Sequence, residues 1–240
     1  MLYIIGLGLN EKGISQEGIK AVKKCKKIYL ENYTVEIPYS AKQLEENLGK
    51  KIIIVDREFV EKFKVFEEVK KESIALLVYG SPLTATTHIS LIQEAKKRKI
   101  EYKILYNASI LDAIGETGLQ LYKFGKIASM PKWDENKNYK PESFIEIIKE
   151  NKSIKAHSLI LIDIDLEFSK ALEQLEISAE NKKIKLDRII ICSMLGTKNS
   201  KIFYDTIENF KDKKINSPFC FIIPSELHFI EREVLENYKF

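Results

Sequence analysis

Three short stretches have the make-up of a ligand site built largely from backbone. In Gly6-Leu7-Gly8-Leu9-Asn10, two glycines follow an apolar run, so the main chain can turn tightly and approach a ligand closely. A dinucleotide fingerprint needs a third glycine where Glu11 stands; Glu31 could mimic its ribose-binding acid, and a tight turn without ligand fits the motif equally well. Gly80-Ser81-Pro82-Leu83-Thr84-Ala85-Thr86-Thr87-His88 supplies a fixed turn and then hydroxyls at a helix start, which suits a polar ligand. Ordinary capping by Thr86 or Thr87 is the competing reading, and His88 reads as a helix-end hydrogen-bonding residue. In Asn107-Ala108-Ser109-Ile110-Leu111-Asp112-Ala113, small residues admit a nucleoside or carry the chain between domains.

Thiol and metal chemistry have no comparable constellation. Cys25, Cys192 and Cys220 are far apart in sequence, in apolar settings and without a C-x-x-C pair; His88, His157 and His228 are equally scattered. No metal site is expected.

Each of the three stretches follows a strand-like run. Leu2–Gly6, Lys27–Leu30, 51–55, Ile74–Tyr79 and 101–105 read as strands, and Gln16–Lys26, Ala41–Leu48, 58–70 and 87–98 as amphipathic helices between them. Ser15 and Ser40 are placed as N-caps and Gly49 as a C-terminal glycine. This alternation predicts a mostly parallel α/β sheet with ligands near the carboxyl ends of its strands. Beyond residues 107–118 the character changes. A loop over 130–141 precedes a helix (142–150), a strand (158–163), a helix (167–178), a strand (188–192), a strand (219–223) and a terminal segment from Ser225. The expectation is two α/β domains, 1–110 and 111–240.

At 240 residues the chain is long enough for a large core, and 45% apolar with 31% charged residues excludes disordered and low-complexity classes. No apolar run approaches the ~18 residues of a membrane span, and Met1-Leu2-Tyr3-Ile4 lacks the basic start of a signal peptide; a cytoplasmic protein without membrane partners is expected. The net charge of +4 comes from mixed signs, and only four of the basic residues are Arg (57, 98, 188 and 232), which speaks against a nucleic-acid groove.

Taken together, Gly-Leu-Gly-Leu, Gly-Ser-Pro-Leu-Thr-Ala-Thr-Thr-His, Asn-Ala-Ser-Ile, Gly118-Leu119-Gln120-Leu121-Tyr122-Lys123-Phe124-Gly125 and Leu161-Ile162-Asp163-Ile164 resemble the diphthine synthase family, within the tetrapyrrole-methylase class of S-adenosylmethionine-dependent methyltransferases. The resemblance runs over nearly the whole chain and weakens after about residue 165. It implies two α/β domains with the cofactor in the cleft between them, usually a homodimer. It also implies methylation of the amino group of a 3-amino-3-carboxypropyl-histidine on translation elongation factor 2. Carried over by position, the cofactor meets Leu9, Ser81, Thr84, Ser109, Ile110, Ile162, Leu195 and Phe219, the last two resting on Leu195-Gly196 and Ile223-Pro224.

Three positions depart from the family pattern: Ser81 stands for Asp, Thr84 for Val and Phe219 for His. A lost carboxylate removes a charge-assisted bond of ~1.5–3 kcal/mol if that contact is direct, and the Phe219 ring could still stack on adenine. Asp163 is a candidate proton acceptor or amine orienter, or a carboxylate satisfied by nearby amides. Tyr122 and Trp133 could stabilise a methylated cation through their rings, with buried packing as the alternative. The loop 133–140 is expected to help recognise the factor. Rival readings are a methyltransferase acting on a tetrapyrrole or an RNA ribose, a non-catalytic binding relative, and a nicotinamide oxidoreductase.

Overall fold

A computed structural model describes residues 1–239; position 240, the last of the expected second domain, lies outside them. The chain divides into two compact units, Met1–Asp112 and the chain from Ala113 onward. Among the described residues no helix is long and apolar enough to cross a membrane.

The first unit runs β1 (Leu2–Gly6), α1 (Gln16–Lys24), β2 (Lys27–Glu31), α2 (Ala41–Leu48), β3 (Ile53–Val55), α3 (Arg57–Glu61), α4 (Val65–Val69), β4 (Ile74–Val78), α5 (Ile89–Lys97) and β5 (Tyr102–Leu105); α6 (Ile110–Ala113) spans the division. All pairs in its sheet are parallel, in the order β3-β2-β4-β1-β5. Alternation explains why β1 and β4 lie at its centre. Leu2, Ile4, Ile74, Leu76 and Val78 enter one apolar layer, while Ile5, Ala75 and Leu77 enter the other, so both faces are buried. Ser15 caps α1 by accepting from Gly18 N (3.0 Å), and Ser40 with Gln43 forms a capping box on α2, which ends at Gly49 (φ 64°).

The helix expected over 58–70 is instead two short helices, broken where Phe63 takes φ 59°. Val60, Val65, Phe66 and Val69 are all buried. On one straight helix Val60 would point about 140° away from Val65, so the break is what lets both enter the core.

The second unit runs β6 (Ala128–Met130), α7 (Ser143–Ser153), β7 (Ser158–Ile162), α8 (Phe168–Asn181), β8 (Ile189–Ser193), β9 (Lys201–Asp205), α9 (Ile207–Phe210), β10 (Phe219–Ile223) and α10 (Phe229–Glu236). Its order is β6-β7-β10-β8-β9. The parallel reading belongs to the first unit, and this sheet is mixed. Strands β7 and β8 do run parallel, as a strand–helix–strand connection requires, but antiparallel β10 lies between them, and β8–β9 is a hairpin. Only β6–β7 is a parallel neighbour pair. Strands β6 and β9 were not expected from the sequence. The core packs α7 and α8 on one face of the sheet, around Phe144, Ile148, Leu172, Leu175, Ile191 and Phe221.

Candidate active site

The first-unit motifs meet at the carboxyl end of the parallel sheet. From β1 the chain crosses to β2 on one side, whereas from β4 it crosses to β5 on the other. The adjacent pair β1/β4 is therefore the switch point where open α/β sheets bind ligands. Gly8 and Gly80 exchange backbone hydrogen bonds there (3.1 and 3.0 Å), both with positive φ (71° and 72°). A Cβ on Gly6 would stand 2.6 Å from Gly80 O and 3.0 Å from Asn107 Cβ, so this approach is open only to glycine. The Asn107 side chain donates to Gly6 O (3.0 Å) and Gly13 O (2.9 Å) and accepts from Ala108 N (2.8 Å), tying the end of β5 to the β1 loop. The Tyr79 hydroxyl donates to Leu9 O (3.1 Å). These bonds bring Leu9, Ser81 and Ser109 to one end of one sheet.

The turn after β4 is braced from behind. Thr84 N donates to Ser81 O (3.2 Å), and Ala85 takes φ 54°. Thr86 Oγ1 donates to Pro82 O (2.7 Å), so its hydroxyl is spent on the turn, and the helix proper begins at Ile89 behind His88. His88 is buried, with Nδ1 3.0 Å from Pro82 O and Nε2 3.3 Å from the Tyr33 hydroxyl. A carbonyl only accepts, so Nδ1 carries the proton and Nε2 accepts from Tyr33. Burial, reinforced by Glu31, pushes the Tyr33 phenol up to about 12, so it remains a donor. His88 is a positioning residue for this turn. Among the described residues the hydroxyls of Ser81, itself buried, and Thr84 have no hydrogen-bond partner.

The dinucleotide reading does not survive. Helix α1 starts at Gln16, behind its cap Ser15, rather than at the glycine pair. The buried Glu31 carboxylate accepts from Tyr33 N, Thr34 N and the Thr34 hydroxyl (3.2, 3.2 and 2.9 Å), so it is committed to its own loop. Ser109 precedes Ile110 as a cap. Its hydroxyl donates to Asp112 Oδ2 (3.0 Å) and accepts from Leu111 N (3.2 Å), while its amide donates to Asp112 Oδ2 (2.7 Å).

In the second unit, Ile162 closes β7, Phe219 opens β10 and Leu195 follows β8, so all three lie at one end of that sheet. The Phe219 ring is buried against Phe168 and Phe221 (centroids 5.5 and 5.7 Å), packed as core rather than presented for stacking. Asp163 is exposed, and its carboxylate accepts from Lys132 N (3.2 Å) and Ile164 N (3.0 Å). Tyr122 is 82% exposed, so it is not packed as core. Trp133 donates from Nε1 to Pro141 O (3.2 Å) and already carries the Lys140 ammonium over its ring (5.4 Å). The loop 133–140 closes through paired backbone bonds between Asp134 and Tyr139 (2.9 and 3.0 Å).

Two arrangements were missed. Cys192 and Cys220, remote in sequence, are directly opposed on β8 and β10; only the strand order brings them together. The Gly118–Gly125 run is a clasp on α10. Gln120 N and His228 N donate to the buried Glu231 carboxylate (3.0 and 2.8 Å), and Lys123 pairs with it. Ser225 N donates to His157 Nδ1 (3.0 Å), so the ring proton sits on Nε2 and points at Glu231 (3.3 Å). Burial pushes the Glu231 carboxyl up, but Lys123, the two amides and His157 outweigh it and bring it down to about 2. Burial likewise holds His157 below the usual imidazole value. An S/T/D-type capping signal would have found Glu231; His228 at the cap position hid it.

Comparison with known proteins matches this architecture. The family model for Tetrapyrrole (Corrin/Porphyrin) Methylases covers residues 1–211. The diphthine methyl ester synthase of Schizosaccharomyces pombe is 34% identical, over 99% of this chain and 94% of that protein. The diphthine synthase of Methanocaldococcus jannaschii is 38% identical over 98% of each. A crystal structure of diphthine synthase superposes with a TM-score of 0.87 at 31% identity, over 99% of this chain and 95% of the other. With two sheets of this topology and a match along most of its length, the chain belongs to the tetrapyrrole (corrin/porphyrin) methylase family and is a methyltransferase similar to the diphthine synthases.

Proposed function

We propose that the chain transfers methyl groups from S-adenosylmethionine to the amino group of the 3-amino-3-carboxypropyl-histidine of translation elongation factor 2, in the cytoplasm and as a homodimer. The observation that carries the cofactor reading is the convergence of Leu9, Ser81, Thr84, Ser109 and Ile110 with the glycine-only approach of Gly6 and Gly80 at the β1/β4 switch point. The substrate reading rests on the names of full-length relatives.

The residues present fit the group. Open glycine backbone admits a nucleoside, and the unpartnered hydroxyls of Ser81 and Thr84 offer polar contacts without charge. Ile162, Leu195 and Phe219 are the second unit's share; Phe219 contributes through its backbone, since its ring is spent on the core. The cofactor supplies an electrophilic methyl on sulfur, and displacement by an amine needs no nucleophile from the protein. The chain's part is alignment and exclusion of water, which in oriented reactions is worth ~7–11 kcal/mol. The amine must be unprotonated; with a pKa of ~8 for a free α-amino group it needs little help. Asp163, held by two amides, enters as an orienting acceptor rather than a base.

Calorimetric titration with S-adenosylmethionine tests the cofactor half, with micromolar binding expected from the native chain and tighter binding from Ser81→Asp. Absence of binding in both removes the reading. Incubation with elongation factor 2 bearing the intermediate, followed by intact mass, tests the substrate half. The relatives' two names, diphthine synthase and diphthine methyl ester synthase, frame the count of methyl groups: a methyl released by mild base marks a carboxylate ester, whereas methyls on nitrogen stay.

A further inference from the structure

The second unit has a cavity of about 280 Å³ at the end of its sheet away from Ile162, Leu195 and Phe219. Strands β8 and β10 are antiparallel, so Arg188, just before β8, and Ser225, just after β10, share one end, and both line the cavity. Leu195 and Phe219 mark the other end. Five-residue strands separate the two by roughly 17 Å, so within this unit the cavity is distinct from the end that carries Ile162, Leu195 and Phe219.

Its polar wall is cationic. The Arg188 guanidinium lies over the Tyr204 ring, 5.6 Å from the centroid. The ring holds the guanidinium at the wall by a cation–π contact, and among the described residues no hydrogen bond takes its N–H groups, which leaves the fork available to a carboxylate or phosphate. Among the described residues neither Arg188 nor Lys152 has an ion-pair partner; Lys152 spends one N–H on Lys185 O (2.7 Å). Asp187, the acid on this wall, is bound by Lys185 at 2.6 Å, and the Lys185 hydrogen bond, with Lys152 adding to it, holds its carboxyl below the usual range. With Asp187 balanced by Lys185, the charges of Arg188 and Lys152 are left over. The rest of the lining, Leu186, Ile223 and Leu227 with Pro224, is apolar. The volume is just below the usual range of ligand pockets, about 300–1,000 Å³, so the ligand must be small.

We propose that this cavity binds a small organic anion, a carboxylate or phosphate carried on a compact apolar body, with Arg188 gripping the anion edge-on, Lys152 supplying the second charge and the Leu186–Leu227 wall taking the body. The site is independent of the methyl-transfer reading, and its failure would leave that reading untouched.

Two-dimensional amide NMR of the full chain, titrated with phenyl phosphate, phenylacetate, inorganic phosphate and the neutral benzyl alcohol, tests it. Saturable shifts of the Arg188, Tyr204 and Ser225 amides are expected with the two aromatic anions. Inorganic phosphate should bind more weakly and benzyl alcohol weakest, and Arg188→Gln should lose at least about tenfold in affinity, the size of one charge-assisted contact. Lys152→Gln should lose less, and it carries the test if Arg188→Gln loses its dispersed spectrum. Absence of saturation, equal binding of benzyl alcohol, or undiminished binding by a folded Arg188→Gln would overturn the site. Inorganic phosphate binding as tightly as phenyl phosphate would overturn the apolar half of the proposal.

Discussion

The carboxyl end of the parallel sheet and the clasp on α10 use opposite chemistry. At the first, contacts are made by the main chain of Gly6, Gly8 and Gly80, the Asn107 carboxamide and the Ser109 hydroxyl, and the carboxylate that Ser109 meets, Asp112, is exposed. At the second, a lysine, a glutamate and a histidine are locked together, the latter two with no exposure. Strongly perturbed titratable groups are commonly a pointer to catalysis. In this molecule the pointer leads to a structural clasp, and the proposed transfer by alignment needs no shifted acid or base.

The sharpest way to break that contrast is a pair of substitutions. Glu231→Ala removes the common acceptor of Gln120 N, His228 N, Lys123 and His157, leaving a cation and amides unpaired, and should cost about 3–5 kcal/mol of stability. Gly6→Ala drives a methyl against Gly80 O and should cost less, about 1–3 kcal/mol, but it pushes apart the β1 and β4 loops. Urea unfolding and cofactor titration on both variants separate the two. Glu231→Ala should lose most in stability and Gly6→Ala most in S-adenosylmethionine affinity, and an inverted order would show the regions to be exchanged in role.

The second effect, smaller at any one pH, is titration. The Glu231 carboxyl sits at about 2 in the fold and near ~4.3 when unfolded, so its contribution is complete above the unfolded value and is lost as pH falls toward the folded one. His157 is depressed as well, so its contribution begins to fade as pH drops below ~6.5. Urea midpoints should therefore hold level near neutrality, decline gently under pH ~6.5 and steeply under ~4.3. In Glu231→Gln the steep limb should flatten. A steep limb unchanged in that variant would move acid sensitivity to other carboxylates.

The same contrast explains what could be read from the sequence. The first unit follows from local rules: buried alternating strands, serine caps and glycines at turns place β1, α2 and β4 and gather the three motifs, because in a parallel sheet all strand ends of one kind share one edge. The second unit depends on non-local pairing. Nothing near Phe219 announces that β10 inserts between β7 and β8, that Cys192 will face Cys220, or that the Phe219 ring will turn into the core. The Gly-Leu-Gln-Leu-Tyr-Lys-Phe-Gly run was visible as a motif. Its purpose depends on Glu231, 108 residues beyond Lys123.

The smallest expected effect sharpens the first region. The Tyr33 hydroxyl meets Nε2 of His88 at 3.3 Å, and the opposite nitrogen holds the Pro82 carbonyl. Tyr33→Phe deletes the phenolic donor and leaves a ring nitrogen buried without its partner. A long neutral hydrogen bond is worth about 0.5–1.5 kcal/mol, and the Phe ring keeps the remaining contacts, including that with Arg57. The orphaned imidazole is free to take the other tautomer, in which Nδ1 loses its proton and repels Pro82 O. The Ser81–Thr84 turn then loses its rear support although no residue of the turn itself has changed. A drop of about 1 kcal/mol in stability, together with a several-fold weakening of S-adenosylmethionine binding and a His88 ring-nitrogen resonance shifted toward the other tautomer, is the expected result. Equal stability loss with unaltered cofactor affinity would reduce His88 to core packing and confine the positioning of the turn to Thr86.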